Sequence, residues 1–183
     1  MTKKQILELA ERERVQFVNM QFTDINGIIK AVTIPVSKLS DAIDSNVWFD
    51  GSSVEGFARI FESDMYLKPD LATFAVIPWS RRSGVVTARM ICDVYKPTGE
   101  PYSCDPRYIL KKVLEKAKKK GWVFNTGPEL EFFLFKKNEE GEIMALPHDR
   151  AGYFDMSTDM AAEIRKDMSI ALAEFGIDVE TLH

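Results

Sequence analysis

Val15-Gln16-Phe17-Val18-Asn19-Met20-Gln21-Phe22-Thr23-Asp24-Ile25-Asn26-Gly27-Ile28-Ile29-Lys30-Ala31-Val32-Thr33-Ile34-Pro35 decides the fold class. Gln16, Val18, Met20 and Phe22 alternate with Phe17, Asn19 and Gln21, a period of two that suits a strand. Asp24-Ile25-Asn26-Gly27 is a turn cluster, and Asn-Gly is a strong hairpin signal. A second strand follows over 28–34, and Pro35, which lacks a backbone donor, ends it. The chain therefore opens an antiparallel sheet. Upstream, Thr2 and Gln5 have capping-box spacing, and Ile6, Leu9, Ala10 and Glu13 follow helical spacing, so a short amphipathic helix is expected over 3–13. Downstream, 37–43 reads as a short helix, and strands are expected over 65–67, 73–77 and 85–94.

Composition bounds the function. The 183 residues carry 24 Lys and Arg against 28 Asp and Glu, a net charge of −4. Hydrophobic residues make up 45%, enough for a packed core rather than a disordered chain. The mild acidity argues against a nucleic-acid binder. No apolar run reaches membrane-span length, so no membrane partner is expected. Glu8 and Glu11 interrupt any signal-peptide core, and Cys92 and Cys104 have no metal-type spacing; together these predict a cytoplasmic protein with two free thiols.

Residues 45–62 have no clean period. Phe49-Asp50-Gly51-Ser52-Ser53 lies within them and reads as a long ordered loop, a type of segment that often carries function. Lys96-Pro97-Thr98-Gly99-Glu100-Pro101 is the densest turn cluster and marks a domain boundary. Asp105 and Pro106 then look like an N-cap and first helical residue, with a helix running to about Lys120. Its Lys118-Lys119-Lys120 end suits the helix dipole. Strands are expected over 122–126 and 129–136, with a hairpin turn at 138–141. A second helix is expected over 159–175, capped by Ser157 or Thr158, and a further strand over 177–182.

Two motifs carry candidate chemistry. A strand over Gly127-Pro128-Glu129-Leu130-Glu131-Phe132-Phe133 would put Glu129 and Glu131 on one face, with Cα atoms roughly 6.5–7 Å apart. Two like charges in apolar surroundings are costly without a cation, and carboxylate oxygens suit hard ions such as Mg²⁺ or Mn²⁺. The alternative is a solvent-facing strand whose glutamates pair with a lysine across the sheet. Asp50 and its serines offer a carboxylate and hydroxyls to a small polar ligand. The alternative there is an Asx-type turn closed on local amides.

Together these stretches resemble bacterial type I glutamine synthetase of the Gram-positive-like subtype. Gln21-Phe22-Thr23-Asp24, the Asp50 loop, Glu62-Ser63-Asp64, Met65-Tyr66-Leu67-Lys68-Pro69-Asp70, the Glu129 strand and Gly152-Tyr153-Phe154-Asp155 match that family in order and spacing, over essentially the whole chain. Leu130 departs from the proline the family commonly has there. The resemblance implies an α+β fold, with a β-grasp domain over 1–98 and the beginning of the catalytic domain over 99–183. It implies a glutamate–ammonia ligase that uses ATP as co-substrate and Mg²⁺ or Mn²⁺. Glutamate, ammonium and ATP would be the ligands, in a homo-oligomer of stacked rings. By resemblance Glu131 and Glu129 are metal ligands, Asp50 binds and deprotonates ammonium, and Ser53 and Tyr153 line its pocket. Arg59, with Glu55 beside it, corresponds to the arginine linked to glutamine feedback. The family's later metal ligands, ATP pocket and glutamate-binding arginines have no counterpart, so the chain reads as an N-terminal fragment that is inactive alone. The alternative is a non-catalytic β-grasp module that assembles with a full-length synthetase.

Overall fold

The computed structural model describes residues 1–54, 64–129 and 131–182. They form two compact units, 1–124 and 125–183. In the first unit the order is α1 (Lys3–Arg12), β1 (Phe17–Thr23), β2 (Ile29–Pro35), α2 (Leu39–Ser45), β3 (Val47–Asp50), β4 (Asp64–Pro69), β5 (Ala75–Val76), β6 (Thr87–Tyr95) and α3 (Pro106–Lys119). The strands form one six-stranded sheet in the order β2-β1-β6-β4-β3, with β5 also paired to β6. β1 and β6 run parallel; the other pairs are antiparallel.

The expected capping box opens α1: Gln5 N donates to Thr2 Oγ1 and Thr2 N to Gln5 Oε1. The β1–β2 turn is held by the buried Asp24, whose Oδ1 accepts from the amides of Asn26 and Ile28, both at 2.9 Å. Gly27, not Asn26, takes the positive φ, at 83°. A left-handed residue there favours glycine, so the Asn-Gly signal marks the turn through its second residue. Alternation then sorts the faces. Val18, Met20 and Phe22 of β1 and Ala88, Met90, Cys92 and Val94 of β6 are buried, and pack with Ile6 and Ala10 of α1 and Leu39 and Ala42 of α2. On the other face Trp48, Tyr66 and Tyr95 line up across three strands, Tyr66 stacked on Tyr95 at 5.4 Å and tilted against Trp48 at 5.2 Å between ring centroids. Both cysteines are free, and burial pushes the Cys92 thiol up to about 12.

β1 pairs with β6 only as far as the Gln21–Ile91 step. Beyond it, β4 occupies one edge of β6, and residues 101–105 take the edge that β1 has left. Tyr102 N donates to Val94 O, and Val94 N donates to Oδ2 of Asp105. The other oxygen of Asp105 caps α3 by accepting from Arg107 N at 3.0 Å. Asp105 is fully buried, and that burial pushes its carboxyl up. Arg107 reaches back to Asp93 and Asp70, both at 2.6 Å, and Lys111 pairs with Asp93. These bonds place α3 in the first unit, although it lies beyond the 96–101 turn cluster. Its Ile109, Leu110, Val113 and Leu114 stay exposed.

Several expected elements differ. A strand, β3, lies at the start of the stretch read as loop; at four residues it is too short to show a period and is defined by its pairing with β4. In the second unit the strand expected over 129–136 narrows to β7 (Phe135–Lys137), paired with β8 (Ile143–Pro147) around the expected turn at Gly141. Residues 122–126, 131–134 and 177–182 are not in strands; the long-range backbone bond found for them among the described residues is the one from His148 N to Leu134 O, at the end of the β7–β8 hairpin. α4 (Ala162–Glu174) begins after Ala161 without a side-chain cap. Thr158 bonds Asp155 instead. No described residue of 125–182 is buried.

Three outcomes follow from this arrangement. Asp105→Ala removes a helix cap and strands the Val94 amide, so it should lower unfolding stability by about 2–3 kcal/mol in denaturant titrations. Asp105→Asn keeps the size and one acceptor but sets an NH₂ donor against the other amide, so it should recover only part of that loss. Partial burial pushes the Asp70 carboxyl up, but Arg107 and the Ala72 amide outweigh it and hold it below the usual range. Stability from such a group is present above the unfolded aspartate pKa and is lost as pH falls through the lower folded value. The thermal stability gap between the wild-type chain and Asp70→Asn should therefore close in acid; a gap unchanged with pH would show the ion pair contributes nothing. Finally, native-state hydrogen exchange should protect β1 and β6 strongly and leave 125–182 nearly unprotected, since that unit has no buried core.

Candidate functional site

The β3–β4 register places Asp50 opposite Asp64. Alternation along β3 turns Phe49 inward, where its ring lies 5.0 Å from that of Phe22, and leaves Asp50 exposed. Asp50 then caps a 3-10 turn, Gly51–Ser53. Gly51 and Val54 are buried on either side, and Val54 N donates to Gly51 O. Both donors of Ser52 converge on Oδ1 of Asp50, the amide at 2.9 Å and the hydroxyl at 2.6 Å. The Ser52 hydroxyl first, and its amide second, hold the Asp50 carboxyl below the usual range against a weaker upward push from desolvation. The local turn weighed against a ligand loop is thus present, and it leaves Oδ2 without a hydrogen-bond partner among the described residues. Ser53 is exposed on the same turn. Glu55 and Arg59 lie outside the described residues.

In the second unit Glu129 and Glu131 are exposed and lie in no strand or helix. Carboxylate oxygens are the right donors for a hard divalent ion, but two of them do not fill a six-coordinate shell. Among the described residues no group of three or more His, Cys, Asp or Glu is placed to hold a metal. Tyr153 is 75% exposed and meets Phe154 edge-to-face at 5.1 Å. It borders an open cavity of about 470 Å³, whose walls include Asp149, Gly152, Asp155, Asp159 and Arg165. Asp149 closes this loop: Oδ1 accepts from Ala151 N and Oδ2 from Met160 N. Asp155 accepts from Gly152 N at 2.8 Å, and a Cβ at Gly152 would stand only 3.3 Å from that same carboxylate. Arg165 pairs in a fork with Asp159. Sequence reading missed this pair, because its members are six positions apart across the irregular start of α4, a spacing at which no regular helix or strand brings side chains together.

Comparison with known proteins comes down on one family. The model for the glutamine synthetase β-grasp domain matches residues 14–97, and that for the glutamine synthetase catalytic domain matches 103–183. Glutamine synthetases of Clostridium saccharobutylicum and of Staphylococcus aureus strain N315 are 47% and 50% identical over 183 and 184 aligned residues. Each alignment takes in 100% of this chain and 41% of the relative, so the chain spans about two-fifths of the length of the curated relatives it matches. A cryo-EM structure of Plasmodium falciparum glutamine synthetase superposes with a TM-score of 0.73 at 18% identity, over 100% of this chain and 42% of that one. A GmaS/ADP complex gives 0.67 at 19%, over 93% and 38%. At those identities the superpositions speak for fold alone. No described helix is long and apolar enough to cross a membrane. With a β-grasp domain followed by the beginning of a catalytic domain in one α+β fold, the chain belongs to the glutamine synthetase family.

Proposed function

We propose that the chain is the N-terminal part of a glutamate–ammonia ligase, which makes glutamine from glutamate, ammonia and ATP through γ-glutamyl phosphate, and that it is inactive alone. The observation that carries this reading is identity near one half, sustained over the whole chain and both domain models. The domain division falls at 98/99, supported by the turn cluster there and by the gap between the two family matches.

Asp50 is the ammonium ligand. Its carboxylate is charged at neutral pH, and Oδ2 is open to a donor N–H. The same hydrogen bonds that favour the charged form make it a weaker proton acceptor, so capture of the cation is the better supported half of the role and proton removal the more demanding half. Ser53 and Tyr153 serve ammonium binding in the parent protein, and Arg59 with Glu55 its feedback. Glu129 and Glu131 contribute to the binding of Mg²⁺ or Mn²⁺ once further ligands are supplied. In a complete site the metal offsets the negative charge of phosphate and carboxylate. The uncovered residues of 125–182 and the exposed face of α3 support a longer parent protein, working as a cytoplasmic homo-oligomer of stacked rings. A second reading, a non-catalytic module that assembles with a full-length synthetase, is favoured by one observation: the buried core is confined to the first unit.

The purified chain should form no glutamine from glutamate, ammonium, ATP and Mg²⁺. Mixed with a polypeptide covering the remainder of the Clostridium saccharobutylicum relative, it should gain turnover that Asp50→Ala removes. Turnover by the chain alone would overturn the inactivity, and turnover that survives Asp50→Ala would overturn the role of Asp50.

A further inference from the structure

The Asp50 carboxylate has two oxygens in unlike situations. Oδ1 receives both donors of a single residue, the amide and hydroxyl of Ser52, at 2.9 and 2.6 Å. Oδ2 has no partner among the described residues. The backbone on either side is fixed, by the β3–β4 pairing before Asp50 and by buried Gly51 and Val54 after it. Rotation of the carboxylate about its Cβ–Cγ bond breaks both bonds at once, and a half-turn merely exchanges two equivalent oxygens, so one oxygen is always held by Ser52 and the other left over. Asp64 is the ionisable residue opposite Asp50 in the strand register, and it supplies like charge rather than a partner.

We infer that Ser52 is the positioning residue of this site: it holds Oδ1 of Asp50 and leaves Oδ2 as the oxygen presented to a small N–H-donating cation. The inference rests on the reading of Asp50 as an ammonium ligand. A carboxylate oxygen already accepting two hydrogen bonds has little capacity for a third donor, whereas a free one accepts readily. The charge-assisted 2.6 Å hydroxyl bond is the stronger of the two constraints. Ser52 itself touches no ligand in this arrangement and acts only through Asp50.

The test is carbon-13 NMR of the Asp50 carboxylate in the full 183-residue chain, titrated with acid and then, at neutral pH, with ammonium chloride against sodium chloride. Ser52→Ala keeps the amide bond and loses the hydroxyl bond. Its Asp50 midpoint should move up toward the ordinary aspartate value, its ammonium-specific shift should shrink, and Ser52→Thr should restore both. Amide spectra of β3 and β4 report whether each variant is folded; should Ser52→Ala fail to fold, Ser52→Cys, a weak donor of similar size, takes its place. An unchanged midpoint in the hydroxyl-deleted variant overturns the inference. An equal change in Ser52→Ala and Ser52→Thr also overturns it, because that pattern reports loop packing rather than the hydroxyl. A midpoint series as expected, with no ammonium response even in the wild-type chain, supports the positioning role and overturns the ammonium reading instead.

Discussion

Strand β6 must satisfy a backbone partner on each edge along most of its nine residues while burying every second side chain. It meets the first demand with four different segments: β1 in parallel on one edge, β4 and β5 antiparallel on the other, and residues 101–105 where β1 leaves off. It meets the second with Ala88, Met90, Cys92 and Val94, all essentially inaccessible. A strand in that position tolerates little variation. Its inner residues face two helices, and a shift of one residue would turn Arg89 and Asp93 into the core. The sheet order, the seating of α1 and α2 and the launch of α3 all follow from it.

The charges beside β6 show how polar groups support this arrangement. Asp105 is buried yet has a donor for each oxygen, so its desolvation is offset by two backbone amides that otherwise lack partners. Asp93, Asp70, Arg107 and Lys111 form a partly exposed network in which each guanidinium or ammonium reaches a carboxylate. Isolated surface pairs contribute little, but a network anchored to two rigid elements loses less side-chain entropy on forming. This explains how α3 is attached to the sheet while its apolar residues stay uncovered.

Sequence reading succeeded where structure is local. The capping box of α1, the alternation of β1 and the Asp105-Pro106 start of α3 are decided by neighbours within a few residues, and each is present. It failed where a partner decides. β3 is too short for a period and exists because β4 is beside it. The strands expected around Glu129 and after Ile177 have apolar, β-prone sequences, but propensity makes no hydrogen bonds without a second backbone. α4 starts later than expected, and the Thr158 hydroxyl bonds Asp155 rather than a helix amide. At the Asp50 loop the carboxylate was legible as a candidate, and so was a local turn as its rival. Ser52 was legible as a member of that turn, but its hold on Asp50 was not, because both its donors reach one oxygen only once the turn is folded.

Asp105 has a mechanical meaning as well as an energetic one. A single carboxylate grips the edge of β6 with one oxygen and the first turn of α3 with the other, so helix and sheet share one fulcrum. α3 extends about 20 Å from it. A tilt of about 5° at that fulcrum would carry the helix tip through roughly 2 Å, while the amides at the pivot moved by only a few tenths of an ångström. The Arg107 and Lys111 contacts lie within the first turn and a half, close to the pivot, where they resist such a tilt with the shortest leverage. The side-chain bonds to the sheet are thus concentrated at the base of the helix, and a small rotation there would be magnified toward its far end.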